Sequence, residues 1–375
     1  MDKKELTSCI REEGLKLGFS AVGVAAAEPL AGDLFREWLR RGYHAEMAYM
    51  ARDPERRLDP AQVLPGARSV ICTALLYRYP EPAEKQDPAA AQGRISCYAQ
   101  GIDYHFVLQK KLETFAGVIG RLSPNSRARI YVDTGVVLEK SWAQKAGIGW
   151  QGKNTNILNR RLGSWFFLGE ILTDLELEYD EPVPDYCGSC TRCIEACPTG
   201  ALEPYVLDSR RCISYLTIEN RGDIPEELRE GTGDWIFGCD ICQEVCPWNR
   251  KSPSSLIAEF QADPRSSQTN LAVLTDLTPE DFAERYRRSA IRRARWRGLL
   301  RNVAIALGNA RDPEAVPALG GLLGHGDALV RRHAAWALAQ IGSEEAFSLL
   351  EKRRAVETDR ETGEALEKLL SGRRK

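Results

Sequence analysis

Apolar and polar positions recur with two different periods through the first half of the chain. Leu108, Leu112, Phe115, Ile119 and Leu122 step by three and four, which predicts one apolar face of a helix. The same period predicts helices over residues 2–17 and Val137–Lys145, and a shorter one carrying Leu34, Phe35, Trp38 and Leu39. Continuous apolar runs predict buried strands instead: Ala21–Ala26, Val70-Ile71-Cys72-Thr73-Ala74-Leu75-Leu76, Ile130-Tyr131-Val132 and Trp165–Leu172. Helices and strands alternating over the first 180 residues predict an α/β layer architecture.

Breaks in the pattern divide the chain. Residues 78–93, rich in Pro, Ala and charge, predict a surface loop. Glu181–Pro184 interrupts the pattern just before a cysteine-rich stretch, and a second linker falls near 251–270. Towards the C-terminus, Arg301-Asn-Val-Ala-Ile-Ala-Leu307-Gly308 aligns with Arg332-His-Ala-Ala-Trp-Ala-Leu338-Ala339 at a spacing of 31. Helices repeating at that period predict a short HEAT-like solenoid, in which each repeat needs a neighbour to bury its apolar face. The expected domains are therefore α/β at 1–180, a ferredoxin-like α+β module at 181–255 and all-α HEAT-like repeats at 270–375.

Charge changes the picture little: the 375 residues carry a formal net charge of −2, so a nucleic-acid contact requires a local patch. The N-terminus lacks the apolar run of a signal peptide, and no stretch approaches the ~18 apolar residues of a membrane span, so a cytoplasmic monomer with no membrane contact is expected. Eleven cysteines in such a chain point to metal ligation rather than disulfides, and eight of them fall between Cys187 and Cys246.

Those eight have a specific order. Cys187-x-x-Cys190-x-x-Cys193-x-x-x-Cys197-Pro198 is the bacterial ferredoxin run, whose fourth cysteine serves a second cluster. Cys239-x-x-Cys242-x-x-x-Cys246-Pro247 ends the same way, with Cys212 as its distant first cysteine. The spacing assigns Cys187, Cys190, Cys193 and Cys246 to one 4Fe–4S cluster and Cys197, Cys212, Cys239 and Cys242 to another. A structural zinc site is the competing reading, but it would use four ligands and leave the interlocked endings unexplained. Gly147-Ile-Gly149-Trp-Gln-Gly152 satisfies G-x-G-x-x-G but follows a helical pattern rather than a strand, so a loop approaching a flat cofactor is expected over a dinucleotide site. No Asp-x-His-x-x-Gly occurs.

Several segments together resemble the epoxyqueuosine reductase family. They are Cys187–Gly200, Arg211–Ile218, Gly238–Asn249, Gly101–His105, Val132–Thr134, Lys145–Asn154 and Ser289–Arg293. The resemblance spans nearly the whole chain. It implies an N-terminal cobalamin domain related to reductive dehalogenases. It also implies two 4Fe–4S clusters fed by an external low-potential donor, and reduction of the cyclopentane epoxide of epoxyqueuosine at the tRNA wobble position, the last step of queuosine synthesis. It carries cobalamin contacts onto Arg57, Cys97, Asp133, Ile157 in the 148–157 loop, Leu168 and Ser214, and general-acid catalysis onto Asp133. Asp133 stands where an apolar strand ends, and walled in by a corrin it would have the raised pKa of an acid active near neutral pH. The competing reading makes it the cap of a helix starting at Val136.

His44 and His105 receive no role, and Trp142, Trp150 and Trp165 are expected mostly in cores. Arg285, Arg287, Arg288, Arg292, Arg293, Arg295, Arg297 and Arg301 crowd seventeen residues with no acid among them, a strip expected to bind phosphates. Arg292, Arg293, Arg295 and Arg297 are the expected tRNA contacts, with Trp296 a candidate for base stacking. Two other functions compete: a cobalamin–iron–sulfur reductase acting on a small molecule, and a non-catalytic electron carrier docking through its helical tail.

Overall fold

A computed structural model describes residues 1–80, 91–264, 267 and 269–372. Most of the loop expected at 78–93 lies outside them. Compactness divides the chain along different lines from the three consecutive domains above. One unit comprises Met1–Pro80, Ile102–Arg210 and Asp240–Gln261; the other comprises Glu81–Gly101, Arg211–Cys239 and Ala262–Lys375. The short strand Arg94–Ile95 pairs with Trp235–Phe237, which ties an early segment into the second unit. Such a pairing joins residues about 140 positions apart and leaves no local periodic signal.

The first unit is built on a four-stranded sheet of β1 (Ala21–Ala26), β2 (Ser69–Leu76), β3 (Ala128–Tyr131) and β4 (Phe166–Thr173). Its order is β1-β2-β4-β3 and every pairing is antiparallel. The α/β expectation is thereby corrected to an antiparallel sheet with helices layered on both faces. Apolar runs report burial on both faces but not strand direction. Helices α1 (Lys3–Lys16) and α2 (Tyr104–Leu122) cover one face, where Leu108 and Leu112 of α2 are fully buried. Helix α3 (Glu139–Lys145) covers the other, with Trp142, Ala143 and Ala146 packed against Val70, Cys72, Ala74 and Leu172. The approach is close: a Cβ on Gly23 of β1 would stand 2.0 Å from the Ala146 carbonyl, so only glycine fits.

The second unit holds helices α4 (Ile213–Ile218), α5 (Arg295–Ala310) and α6 (Ala328–Ile341). The two predicted repeats form α5 and α6, which pack together; Val303, Ala304, Leu307, Ala334, Ala335 and Leu338 on them are all buried. No helix among the described residues is long and apolar enough to cross a membrane.

Candidate active site

Beyond β3 the chain makes a tight turn that presents Asp133. Its φ of 49° places a non-glycine residue in the left-handed region, a conformation that costs of order 1 kcal/mol and needs support. Support comes from three directions. The Asp133 N–H donates to Oε1 of Glu139, the first residue of α3. The Arg57 guanidinium donates to the Gly135 carbonyl at 3.2 Å and to the Tyr49 carbonyl at 2.7 Å. The Tyr131 ring lies against Gly135 so tightly that a Cβ there would come within 2.2 Å of it. Helix α3 starts at Glu139, with no side chain capping it, which excludes Asp133 as a cap at Val136.

The Asp133 carboxylate is about half open, its side chain 51% exposed, so the residues around it do not wall it in. Its partner is His105 at the start of α2, whose Nε2 stands 3.3 Å from Asp133 Oδ2. The contact is an ion pair rather than an aligned hydrogen bond. His105 Nδ1 lies 2.7 Å from Asp103 Oδ1, and Asp103 also caps α2 through the His105 N–H. Burial pulls the His105 pKa down, but the two carboxylates outweigh it and raise it to about 9.

Two further carboxyl groups stand behind the turn. Glu170 occupies the middle of β4, level with Cys72 of β2 and Tyr131 of β3, and is fully buried. Burial first, then the charge of Glu139, raises its pKa well above the ordinary carboxylate range. Glu139 is also pushed up, to about 8, by burial and then by the charge of Asp133.

The sites expected for cobalamin divide between the units. In the first, Arg57 is 8% exposed, and its Nε is buried with no partner among the described residues. Leu168 is half-buried at the edge of the sheet core. Ile157 is 4% exposed and its side chain belongs to that core. Within the 148–157 segment the chain forms a hairpin, Trp150–Gln151 pairing with Ile157–Leu158. A Cβ on Gly149 would come within 2.1 Å of the Leu158 carbonyl, so that glycine serves the chain's own backbone. In the second unit Cys97 opens a short 3-10 turn and Ser214 lies on α4, both half-buried.

Cysteines of the first expected cluster converge within the first unit. Cys187, Cys190, Cys193 and Cys246 line one cavity of about 240 Å³ with Lys153, Tyr186 and Trp248. Trp150 packs in one apolar cluster with Leu158, Cys187, Cys246 and Trp248, its ring 5.1 Å from Trp248 and 5.2 Å from Tyr186. Lys153 Nζ donates to the carbonyls of Gly188 at 2.7 Å and Cys190 at 3.1 Å, which holds the first ligand loop. Burial raises the thiols of Cys187, Cys193 and Cys246, as expected of cysteines that need a cationic centre to ionise. Of the second set, Cys197 and Cys242 belong to the first unit and Cys212 and Cys239 to the second. Cys197 Sγ accepts the Ala201 N–H at 3.4 Å; Cys212 is the N-cap residue of α4. All three tryptophans are buried, Trp142 in the sheet core and Trp165 edge-on to Tyr77.

The arginine strip of the second unit is not uniform. Arg301 is 1% exposed and donates to the carbonyls of Leu216 at 2.6 Å, Asn220 at 3.0 Å and Gly222 at 2.7 Å. It therefore closes the C-terminal end of α4 and leaves the strip. Arg293 is paired with Glu219, and Arg297 lies 3.6 Å from Asp327. Arg287, Arg288, Arg292 and Arg295 are exposed and carry none of the ion pairs found among the described residues. The Trp296 Nε1–H donates to the Leu277 carbonyl at 2.6 Å, and its half-buried ring lies 4.8 Å from that of His325.

Comparison with known proteins settles the family. Residues 57–134 match the family model described as epoxyqueuosine reductase QueG, residues 186–249 a 4Fe-4S double cluster binding domain and residues 288–371 HEAT repeats. The epoxyqueuosine reductase of Gloeobacter violaceus is 47% identical over 312 residues, covering 81% of this chain and 96% of that one. That of Escherichia coli is 41% identical over 347 residues, covering 91% and 90%. The chain belongs to the epoxyqueuosine reductase family. A crystal structure of an epoxyqueuosine reductase with an epoxyqueuosine-modified tRNA-Tyr stem loop aligns with a TM-score of 0.92 at 31% identity over 99% of each chain. The Bacillus subtilis epoxyqueuosine reductase, solved with its catalytic loop swung out of the active site, aligns with a TM-score of 0.91 at 30% identity over 98% of each chain.

Membership makes the chain an oxidoreductase, and the geometry around Asp133 adds residues to which sequence reasoning assigned no role. His105 carried a signal, since Asp103 two positions earlier is placed to hold its ring. Glu170 carried a plainer one, a lone charge inside the apolar run Trp165–Leu172. Glu139 was hidden among the charged residues of an amphipathic helix.

Proposed function

We propose that this epoxyqueuosine reductase removes the epoxide oxygen of epoxyqueuosine in the tRNA anticodon loop, using cobalamin and electrons relayed through two 4Fe–4S clusters. The observation that carries the reading is the Asp133–His105 pair, an exposed acid and a raised imidazole at the end of a strand. The family relative bound to a modified stem loop supports tRNA as substrate. Opening the epoxide and releasing its oxygen as water takes two electrons and two protons. Bound cobalamin would supply the reducing power at a low-potential metal centre.

The chain's own residues do the rest. Arg57 Nε, buried without a partner, is a donor left over for a cofactor oxygen, while Leu168, Cys97 and Ser214 are the other proposed contacts. Ile157 has no side-chain surface to offer. His105, charged below about pH 9, hands its proton to the Asp133 carboxylate, which passes it to the departing oxygen, and the neutral imidazole then takes a proton from solvent. Cys187, Cys190, Cys193 and Cys246 hold one cluster in their cavity. Cys197, Cys212, Cys239 and Cys242 hold the other, on the strength of their spacing. Arg287, Arg288, Arg292 and Arg295 meet tRNA phosphates, and an external low-potential carrier supplies electrons.

Anaerobically reconstituted protein incubated with tRNA from cells blocked at epoxyqueuosine tests the whole reading. Nucleoside mass spectrometry should show queuosine formed in a cobalamin-dependent way. Unchanged epoxyqueuosine alongside turnover of a halogenated small molecule would favour the competing reductase.

A further inference from the structure

Two carboxyl groups that the proposed reaction does not use lie directly behind Asp133. Their meeting follows from two periodicities. On α3, Glu139 shares a face with Trp142, Ala143 and Ala146 at helical spacing, and that face is buried on the sheet. On β4, Glu170 alternates in step with Leu168 and Leu172, which face the same layer. Glu139 and Glu170 thus face the same layer between α3 and the sheet, and the charge of each bears on the other.

Neither oxygen of Glu170 meets a hydrogen-bond donor among the described residues, and the groups that bear on it are Glu139 and then Asp133, both acids. Around Glu139 stand Asp133, Glu170 and one cation, Lys140 of its own helix. Cys72 of β2 is the remaining titratable neighbour, buried and pushed well up, and therefore neutral. Two adjacent carboxylates without a facing cation do not both ionise in such a place; a proton between them removes the repulsion and supplies the missing donor. Glu139 has a second task, since it accepts the N–H of Asp133 and so holds the left-handed turn.

We propose that Glu139 and Glu170 share one proton and act as a positioning pair: Glu170 donates its O–H to Glu139, and Glu139 accepts the Asp133 N–H. When the pair loses that proton, the two carboxylates repel and the turn carrying Asp133 is released. The pair touches no substrate and acts only through Asp133. Its catalytic consequence rests on the proposed role of Asp133; its structural content does not.

Amide hydrogen exchange in the cluster-loaded full chain tests it without substrate or cobalamin. The readout is the protection factor of the peptide spanning 132–138, followed against pH, with iron content and Tm confirming the fold of each variant. In the parent, protection should fall as the pair loses its proton. Glu139→Leu should lower protection by roughly ten- to hundred-fold wherever the parent pair keeps its proton, the size of a lost hydrogen bond to a charged acceptor. Glu139→Gln keeps an oxygen acceptor and should restore part of it. Glu170→Gln keeps a donor toward Glu139 and cannot ionise, so its protection should persist to higher pH than in the parent. In turnover, Glu139→Leu should lower kcat and leave KM for tRNA in place. Equal protection in Glu139→Leu and the parent, or superimposable pH profiles for Glu170→Gln and the parent, would overturn the proposal. An inactive but normally protected Asp133→Asn leaves the pair standing, while a fully active Asp133→Asn with the predicted exchange pattern refutes only the catalytic reading.

Discussion

His105 Nε2 stands 3.3 Å from Asp133 Oδ2, although 28 positions separate them in the chain and they belong to different elements. The start of α2 and the end of β3 therefore open onto one place. A carboxylate there has beside it a cation that steadies it and can hand it a proton.

Asp133→Asn should retain both clusters and lose turnover by roughly 10²- to 10⁴-fold, the usual cost of removing a general acid. Single-turnover conversion of modified tRNA, with iron content as control, measures it. Near-parental turnover would leave Asp133 without a catalytic part.

The His105 pair has a definite pH signature. Its pKa is raised from an ordinary ~6.5 to about 9, so its stabilising charge is fully present below pH ~6.5 and lost as pH rises through about 9. His105→Asn should therefore lie below the parent in Tm at neutral pH, and the gap should close on the alkaline side. A gap that stays constant up to pH 10 would mean that the ring contributes by packing alone.

Cys246→Ala should damage the cluster of Cys187, Cys190 and Cys193, although the mutated residue lies more than fifty positions away. Iron and sulfide should fall by about half in anaerobically reconstituted protein, leaving one four-iron centre of two. Stoichiometric zinc in place of iron would refute the cluster assignment for this cavity.

Within the arginine strip the structure separates two kinds of effect. Arg301→Ala strips donors from the carbonyls of buried Leu216 and Asn220 and half-buried Gly222 and should cost at least about 2 kcal/mol of stability, at ~1–3 kcal/mol for each buried group left unsatisfied. Thermal or urea unfolding would show it without any RNA present.

Arg292→Ala with Arg295→Ala should instead leave Tm near the parent value and weaken tRNA binding. If Arg287, Arg288, Arg292 and Arg295 each meet a phosphate, the log–log salt slope should be roughly −3, at ~0.7 per contact for single strands. The double variant should flatten it to about −1.4. Binding that matches the parent at every salt concentration would make these residues a solvated surface.

Much of this protein was written locally in the chain. The two interlocked CxxxCP endings name the ligands of the first cavity because cluster ligation demands fixed short spacings, and the helical period of 301–308 and 332–339 names the stacked pair α5 and α6. Those features depend on neighbours a few residues apart, which a sequence displays directly. Only the tertiary structure decided that the sheet is antiparallel throughout, that Ile157 packs in its core and the Trp296 N–H bonds the Leu277 carbonyl, and that Arg301 leaves the basic strip to close α4. It alone turned Glu139, one charge among several on α3, toward Glu170 and beneath Asp133. The reason is common to all of them: a side chain's charge state and partners are set by groups folded against it from distant segments, and burial, which raises an acid or strands a donor, has no counterpart in the linear order of residues.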